Sequence, residues 1–497
     1  MTRRVAFSVP CLLLLGVATN CARNPVTGKN ELSLVSEGQE IQMGQQAAQQ
    51  VGASIGYVDN PQLQAYVAGI GKKMAAQSER PNLPWEFHVV DDASVNAFAL
   101  PGGFIFVTRG LLGAVDNEAE LASVLGHEIG HVTARHSVQQ MSKAQLATLG
   151  LGIGSILSSD IAQFAGIASQ GLSLLFLKYG RDAETQADDL GFKYALNQNY
   201  DVREMDDVFQ TLGRQSELAG AGKLPEWLST HPNPENRVVK TQARLDTLHR
   251  DLSSTVRNEQ VYMQHIQGLT YGDDPKQGFF ENNTFYHPGM RFQLEFPDGW
   301  QTQNTPQAVV AMSPDQDAIV QLGLAGNASP REAAQQFLSQ EGVQAGQAST
   351  SSVNGNPAAT SYFQAQTQQG VIQGIVSFVS YGGQTFGLMG YTPQGKLNNY
   401  DGVFRETIGS FSQLRNQAAL NVKPNRIEVV KLPREMTLQQ FDQQYPSNIR
   451  IEELAIINQV EGPASVIPAG RLMKRVTGGN MPAQQTGSSR RPGTSSG

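Results

Sequence analysis

The sequence predicts a multidomain chain: a mainly α (α+β) unit with a small edge-strand sheet, then an α+β unit, then a small βααβ unit. Three observations lead there. The chain has 497 residues, and at about 150 residues per domain that length corresponds to roughly three domains, each able to bury a core. Helical spacing dominates from Glu37 to about residue 268, whereas from about 270 the texture turns to Gln-, Gly- and Ser-rich alternating segments. A further change of pattern over 425–476 reads as strand, two helices, strand. The expected divisions are a leader (1–20), a linker (21–36), units at 37–268, 269–417 and 421–477, and a disordered tail (478–497).

Composition narrows the function classes. The chain is 40% apolar and 16% charged, as globular proteins are, and its net charge of −7 argues against a nucleic-acid binder. The 2 cysteines, Cys11 and Cys21, both precede the folded body. That body therefore holds neither a disulfide nor a thiolate ligand, and any metal site in it must be built from His, Asp and Glu.

Arg3 and Arg4 precede a charge-free stretch from Val5 to Ala22 containing Leu12 to Leu15, the layout of an export signal. Pro10, Gly16, Thr19 and Asn20 count against a retained spanning helix. Ala18-Thr19-Asn20-Cys21 resembles a bacterial lipobox, which makes Cys21 the lipidated first residue of a mature chain and a membrane attachment. The alternative is a soluble exported protein with an incidental cysteine, because Asn20 stands where a lipobox carries a small residue.

Along the body, Glu37 to Ser54 and Gln62 to Ser78 have helical spacing, separated by the turn Asn60-Pro61. Trp85 to Val90 reads as a strand, and Phe98 to Val107 as two extended runs joined by Pro101-Gly102-Gly103. Asn117 starts a helix with Glu120 as its capping-box partner. Residues 147–177 are apolar but interrupted by Asp160, Gln163 and Gln170, so a pair of short amphipathic helices is preferred to membrane insertion. A helix from Asp182 to Asn197 and a loop at Ala219 to Gly222 follow. In the second unit Arg291 to Phe296 and Gly374 to Val379 alternate as strands, with one helix, Pro330 to Gln340, between them. After Glu461 there is no acid and there are five bases, Arg471, Lys474, Arg475, Arg490 and Arg491, read as a solvated run or a weak contact to anionic envelope polymers.

The chemistry-bearing segment is His127-Glu128-Ile129-Gly130-His131 inside the helix from Asn117. At 3.6 residues per turn, imidazoles at i and i+4 share a face and can hold one Zn²⁺, while Glu128 can take a proton from water activated by the metal. His136 lies about 140° further round a continuing helix and cannot share that face. The metzincin pattern fails as well, because Ala134 and Ser137 occupy its glycine and histidine positions. A carboxylate from another helix is then required. Glu184 on the helix Asp182 to Asn197 is the candidate, with Asp188 one turn on to accept a hydrogen bond from a ligand's outer nitrogen. A solvated acidic helix, with Asp182 and Asp189, is the alternative.

The blocks Asn96-Ala97-Phe98-Ala99-Leu100-Pro101-Gly102-Gly103, His127 to His136, and Arg181 to Asp188 resemble the HtpX/CAAX-prenyl-protease family of zinc metallopeptidases, nearest its soluble periplasmic BepA-like branch. The likeness spans about Asn24 to Leu245, including Asn24-Pro25-Val26-Thr27-Gly28. It implies a gluzincin-type unit, one Zn²⁺ per chain on His127, His131 and Glu184, Glu128 as the catalytic base and Asp188 as support for a ligand. It also implies a site role for His231, in Ser229-Thr230-His231-Pro232, and for Arg237. His231 can fill the position needed by water and silence the site, or it can hydrogen-bond the oxyanion with Arg237 assisting; a turn histidine is the plain alternative. An extended substrate would pair with the edge strand at Asn96, Phe98, Ala99 and Leu100. His88, His249, His265 and His287 have no motif context and are read as structural or surface residues.

Phe292 to Trp300 loosely resembles PsbP/Mog1-like domains. Residues 425–476 resemble a LysM module, with Arg426 to Val430 as first strand, Thr437 starting a helix, Asn458 ending the second and Ile467 to Leu472 as last strand. That likeness implies contact with peptidoglycan. The expected function is a zinc endopeptidase hydrolysing unfolded or misassembled envelope proteins at the periplasmic side of the outer membrane. The alternatives are an outer-membrane-protein chaperone or assembly factor, working with the assembly machinery and with a self-inhibited peptidase site, and a peptidoglycan-binding protein with a vestigial one.

Overall fold

The computed structural model describes residues 21–151, 179–219, 227, 230–231, 234–305, 308–346, 348–367 and 370–480. The expected leader with Cys11, most of the apolar run 147–177, Gly220 to Gly222, Ser229, Pro232 and the tail from residue 481 lie outside the described residues.

The protein is a multidomain α+β chain. Its first unit begins with the paired strands β1 (Cys21–Arg23) and β2 (Asn30–Leu32). Within residues 21–36, expected as a linker, residues 21–32 form a hairpin, and Asn24 ties it down by accepting from the N–H groups of Val26 and Thr27 and donating to Ala134 O. Helices α1 (Glu37–Ser54) and α2 (Pro61–Ala75) follow, capped by Ser36 and Asn60. Strands β3 (Glu86–Val90), β4 (Ala97–Leu100) and β5 (Phe104–Thr108) form a sheet in the order β3-β5-β4, so β4 is an edge. The helices α3 (Arg109–Ala114), α4 (Glu118–Thr133), α5 (His136–Leu151), α6 (Arg181–Asn197), α7 (Glu204–Ala219), α8 (Pro234–Thr247) and α9 (Glu259–Ile266) complete the unit. Among the described residues no helix is long and apolar enough to cross a membrane.

Two details correct the sequence reading of α4. Asn117 caps it by accepting from Glu120 N–H, but the Glu120 carboxylate reaches the N–H of Asp116, not of the cap residue, along with the Asn117 amide. The helix also stops at Thr133. Arg135 adopts φ 59°, held there by Glu40 and Val35 O, and a new helix starts at His136. His136 therefore leaves the angular progression of α4, and its ring reaches His131 instead of lying about 140° away.

The second region is rich in sheet. Strands 301–304, 308–312, 319–324, 384–393, 370–381, 356–367 and 343–345 lie in that order in one antiparallel sheet, with 349–353 also pairing with 356–367. Side chains of 370–381 alternate between its faces. Ile375 and Val379 pack with Phe404 of the helix Leu397–Ser410, whereas Val376 and Phe378 pack with the helix Pro330–Leu338. The second of these helices matches the sequence reading. Leu397–Ser410 is an addition that the sequence reading passed over, and Phe404 seats where a Cβ on Gly390 would lie 2.3 Å from its ring.

His287 in this region is structural, and it carries a pH prediction. Burial pushes its imidazole down to about 4, and its Nδ1 accepts from the N–H of Met290 at 3.1 Å, which requires the neutral ring. An unfolded histidine takes up its proton near pH 6.5. Between about 6.5 and 4 the unfolded chain therefore binds more protons, and stability falls as pH falls through that window. The melting-temperature advantage of wild type over His287→Gln should shrink steadily from pH 7 to pH 4.5; a constant difference would contradict this.

In the last region, strand 425–431 pairs with 472–477 on one side and with Thr270–Tyr271 on the other. Thr437 caps Leu438–Gln444, and Ile451–Ile457 ends at Asn458. The last strand lies later than Ile467 to Leu472: Val466–Ile467 pairs with Met436–Thr437, Gly470 turns at φ 86°, and the long strand is Leu472–Thr477. Nor are the three described bases after Glu461 a solvated run. Lys474 is fully buried, Arg475 pairs with Glu428 at 2.8 Å, and Arg471 donates to Asn458 O at 2.6 Å.

Candidate active site

The site forms where α4 and α6 cross closely. A Cβ on Gly126 or Gly130 would stand 3.0 Å from backbone atoms of Gly191 or Ala187, so two glycines of α4 let the helices approach. That approach sets residues 127 and 131 of one helix against 184 and 188 of the other. Every residue of α4 is buried. On α6, Glu184 and Asp188 are buried while Asp182 and Asp189 face solvent, which separates the site pair from the solvated acids.

Ligand atoms of His127, His131, Glu184 and His231 all lie within 4.8 Å of one another. His127 Nε2 is 2.9 Å from His131 Nε2 and 3.6 Å from Glu184 Oε2, and His131 Nε2 is 3.5 Å from Glu184 Oε1. His231 Nδ1 lies 3.0 Å from Glu184 Oε1 and 3.2 Å from His127 Nε2. Outer contacts orient the rings. His127 Nδ1 is 2.8 Å from Asp188 Oδ1. His131 Nδ1 is 2.9 Å from His136 Nδ1, whose Nε2 reaches Gln186 Oε1 at 2.9 Å. With carboxylate and amide oxygens as the acceptors, both chains of bonds run outward and leave each Nε2 lone pair facing the cluster.

These surroundings suit a divalent cation. Burial, with Arg237 adding to it, pushes His127 down to about 4, and burial with its charged neighbours lowers His131 well below the usual range, so both rings are neutral donors. Burial alone would raise Glu184 and Asp188, but it is outweighed: His231, His127 and Arg237 lower Glu184, and Arg237 with His127 lowers Asp188. For His231 burial works downward and the Glu184 charge outweighs it, leaving the group raised. Nitrogen and carboxylate donors of this kind, without sulfur, fit zinc.

Glu128 points the other way from the ligands' role. It is buried, its Oε1 has no hydrogen-bond partner, and His231 Nε2 lies 3.7 Å away. Burial raises its carboxyl to about 7, with Glu184 adding to the effect and His231 and Arg237 opposing it. Such a group takes and releases a proton near neutrality. Arg237, on α8, donates through Nε to Asp188 Oδ2 at 2.9 Å, and its guanidinium lies 4.1 Å from the Phe209 ring and 4.4 Å from the Trp227 ring.

The edge strand stands beside α4. Phe98 is half-buried against Phe106, Ala99 and Leu100 are buried, and Asn96 is buried with an unpartnered Oδ1. His136, Gln186, Tyr179 and Trp227 were not among the sequence candidates. Tyr179 stacks on His131 at 4.0 Å and Trp227 on His231 at 4.8 Å. The sequence holds a signal for His136 only, as the first histidine after the motif. His88 and His265 stack on Tyr57 and Tyr66, away from the cluster.

Two histidines and an intervening glutamate on one helix, faced by a carboxylate from a second, are the arrangement of the metallopeptidase class. Residues 61–245 match the model of peptidase family M48. It is similar to the beta-barrel assembly-enhancing protease of Escherichia coli strain K12, 30% identical over 233 residues, 45% of this chain and 47% of that protein. The protein of the same name from Yersinia pestis is 30% identical over 259 residues, 50% of this chain and 52% of its own. The mitochondrial metalloendopeptidase OMA1 of Bos taurus is 39% identical over 161 residues, 31% of each chain. The chain thus spans about half the length of these bacterial relatives. Among solved structures, PsbP of Synechocystis aligns at 15% identity and a TM-score of 0.23 over 26% of this chain and 91% of that one, too low to bear on fold or function.

Proposed function

We propose that the protein is a zinc-dependent endopeptidase of the bacterial cell envelope that hydrolyses unfolded or misassembled envelope proteins. One observation carries this reading: a buried His127, His131, Glu184 cluster beside Glu128, whose carboxylate oxygen has no partner of its own. Zinc held by those three residues would supply Lewis acidity toward a peptide carbonyl and toward water. Glu128 takes the proton of the attacking water and returns it to the departing amine. Asp188 and His136 hold the ligand rings, Arg237 holds Asp188, and the main chain of β4 from Asn96 to Leu100 pairs with an extended substrate. In finer form the reading includes a gluzincin-type unit, a LysM-like unit at 421–477 and export with Cys21 lipidated at the outer membrane. The full chain should digest casein, lose that activity to a chelator and regain it with zinc.

A second reading is an assembly factor for outer-membrane proteins with a self-inhibited peptidase site. Its support is the placement of His231 Nδ1, 3.2 Å from His127 Nε2 and within the ligand group. As a fourth ligand His231 would occupy the position that water needs. Casein cleavage by His231→Ala should equal or exceed wild type, by up to about tenfold, with lower zinc affinity. Folded, zinc-loaded His231→Ala without any cleavage would favour the assembly-factor reading.

A further inference from the structure

The corner between α4 and α5 decides what touches His131. Arg135 closes one helix and opens the other: its N–H donates to Val132 O at 3.0 Å, and its C=O accepts from Gln139 N–H at 3.0 Å. It does so at φ 59°, the left-handed conformation that usually falls to glycine at a helix end and that costs free energy for a residue bearing a Cβ. The turn starts α5 at His136, whose Nδ1 then meets His131 Nδ1 at 2.9 Å. The next residue, Ser137, bonds the Tyr179 hydroxyl at 2.8 Å, and the Tyr179 ring is the one stacked on His131.

A strained turn persists only where its surroundings over-determine it, and here those surroundings come from residues 24–40 and Arg80. Glu40, 1% exposed on α1, accepts from Arg135 Nε at 2.9 Å. Its carboxylate is itself immobilised by two bonds from Arg80, at 2.8 and 3.0 Å, and one from Gly102 N–H at 3.4 Å. Arg80 also donates to Val132 O at 3.0 Å, the carbonyl that Arg135 N–H reaches. Arg135 Nη2 donates to Val35 O at 2.9 Å. Asn24, 3% exposed between β1 and β2, donates to Ala134 O at 3.3 Å, while its own oxygen folds the hairpin through the N–H groups of Val26 and Thr27. Val132, Ala134 and Arg135 are thus each gripped by side chains from outside both helices, none of which belongs to the ligand group.

We propose that Asn24 and Glu40 are positioning residues for the metal: they hold the corner at Ala134 and Arg135 in the left-handed turn that sets His136, and with it the outer bond of His131, so that zinc affinity depends on a segment that supplies no ligand. Only the placing of zinc on His131 rests on the peptidase reading. Outer partners of a ligating histidine are worth about 10–100-fold in metal affinity, and a residue one bond further out acts through them.

The test measures the zinc affinity of the full-length protein by chelator competition, with the visible spectrum of the Co²⁺-loaded protein as a report on ligand geometry that general stability does not move. Asn24→Ala and Glu40→Gln should each weaken zinc binding about tenfold and shift the spectrum. Arg135→Gly should bind within about threefold of wild type, because glycine takes φ 59° unaided. Arg135→Val, whose branched Cβ resists that conformation, should lose about 10–100-fold. Glu40→Gln combined with Arg135→Gly should regain most of the affinity and the wild-type spectrum, a rescue that disturbed packing around Arg80 does not predict. Equal affinities for Arg135→Gly and Arg135→Val, wild-type affinity in both Asn24→Ala and Glu40→Gln, or no rescue of Glu40→Gln would overturn the proposal; should Glu40→Gln not fold, the Arg135 pair decides alone. Casein digestion by wild type is followed in parallel. Zinc bound with casein uncut defeats the peptidase reading and leaves the positioning, and casein cut with wild-type zinc affinity in every variant does the reverse.

Discussion

Glu128→Gln should lower casein cleavage by about 10²–10⁴-fold, the usual contribution of a positioned general base, or about 3–5 kcal/mol of barrier. Zinc content should remain that of wild type, because none of the atoms of His127, His131 or Glu184 that could hold a metal is altered. The variant should also fold well. Burial raises the Glu128 carboxyl to about 7, whereas an unfolded glutamate titrates near 4.3. Between those values the folded, metal-free protein binds more protons, so Glu128 withdraws stability as pH rises from about 4.3 to 7. A neutral glutamine does not, and the metal-free variant should gain in melting temperature relative to wild type across that interval. Loss of cleavage with zinc retained and the melting advantage growing with pH identifies a proton-handling role. Cleavage within tenfold of wild type would assign the base elsewhere.

The parts of this site that the sequence disclosed are those set by local geometry. His127, Glu128 and His131 share a helix whose spacing alone puts two imidazoles together, and Asn117 marks its start. Glu184 and Asp188 were accessible by elimination, because a cysteine-free body leaves only carboxylates, but their approach depends on Gly126 and Gly130 packing against Ala187 and Gly191, a contact between distant segments. His136 was misplaced because the left-handed Arg135 is held by Glu40, 95 residues earlier, and no local pattern announces it. The helix Leu397–Ser410 escaped because its apolar positions answer to a sheet that itself is assembled from eight separate strands. Charge runs proved the least readable. Lys474 sits in an acid-free stretch that suggests solvent, yet its partners lie more than 350 residues away.

Those partners make Lys474→Met the substitution with the largest expected cost in stability outside the site. Lys474 is fully buried; its Nζ donates to Gly113 O at 3.0 Å and Val115 O at 2.8 Å and lies 2.7 Å from Asp116 Oδ1. These three acceptors link the end of α3 to the residue just before the cap of α4. Nearby, Gln459 donates to Glu120 at 2.7 Å and Arg214 to Val460 O at 2.7 Å, so the C-terminal unit is bound to the helix that bears His127 and His131. Methionine preserves most of the volume but leaves Asp116 and two carbonyls buried without their donor. Breaking a buried pair in this way costs about 3–5 kcal/mol, whereas the more exposed Arg475–Glu428 pair is worth about 0–1. Denaturation of full-length protein should show that loss in the transition of the first unit, and Lys474→Met with Asp116→Asn should lose less than the two single changes summed, since the second removes the charge that the first strands. A loss under about 1 kcal/mol with additive single effects would mean that water or a neighbouring base replaces Lys474, and that the C-terminal unit is not what holds the start of α4.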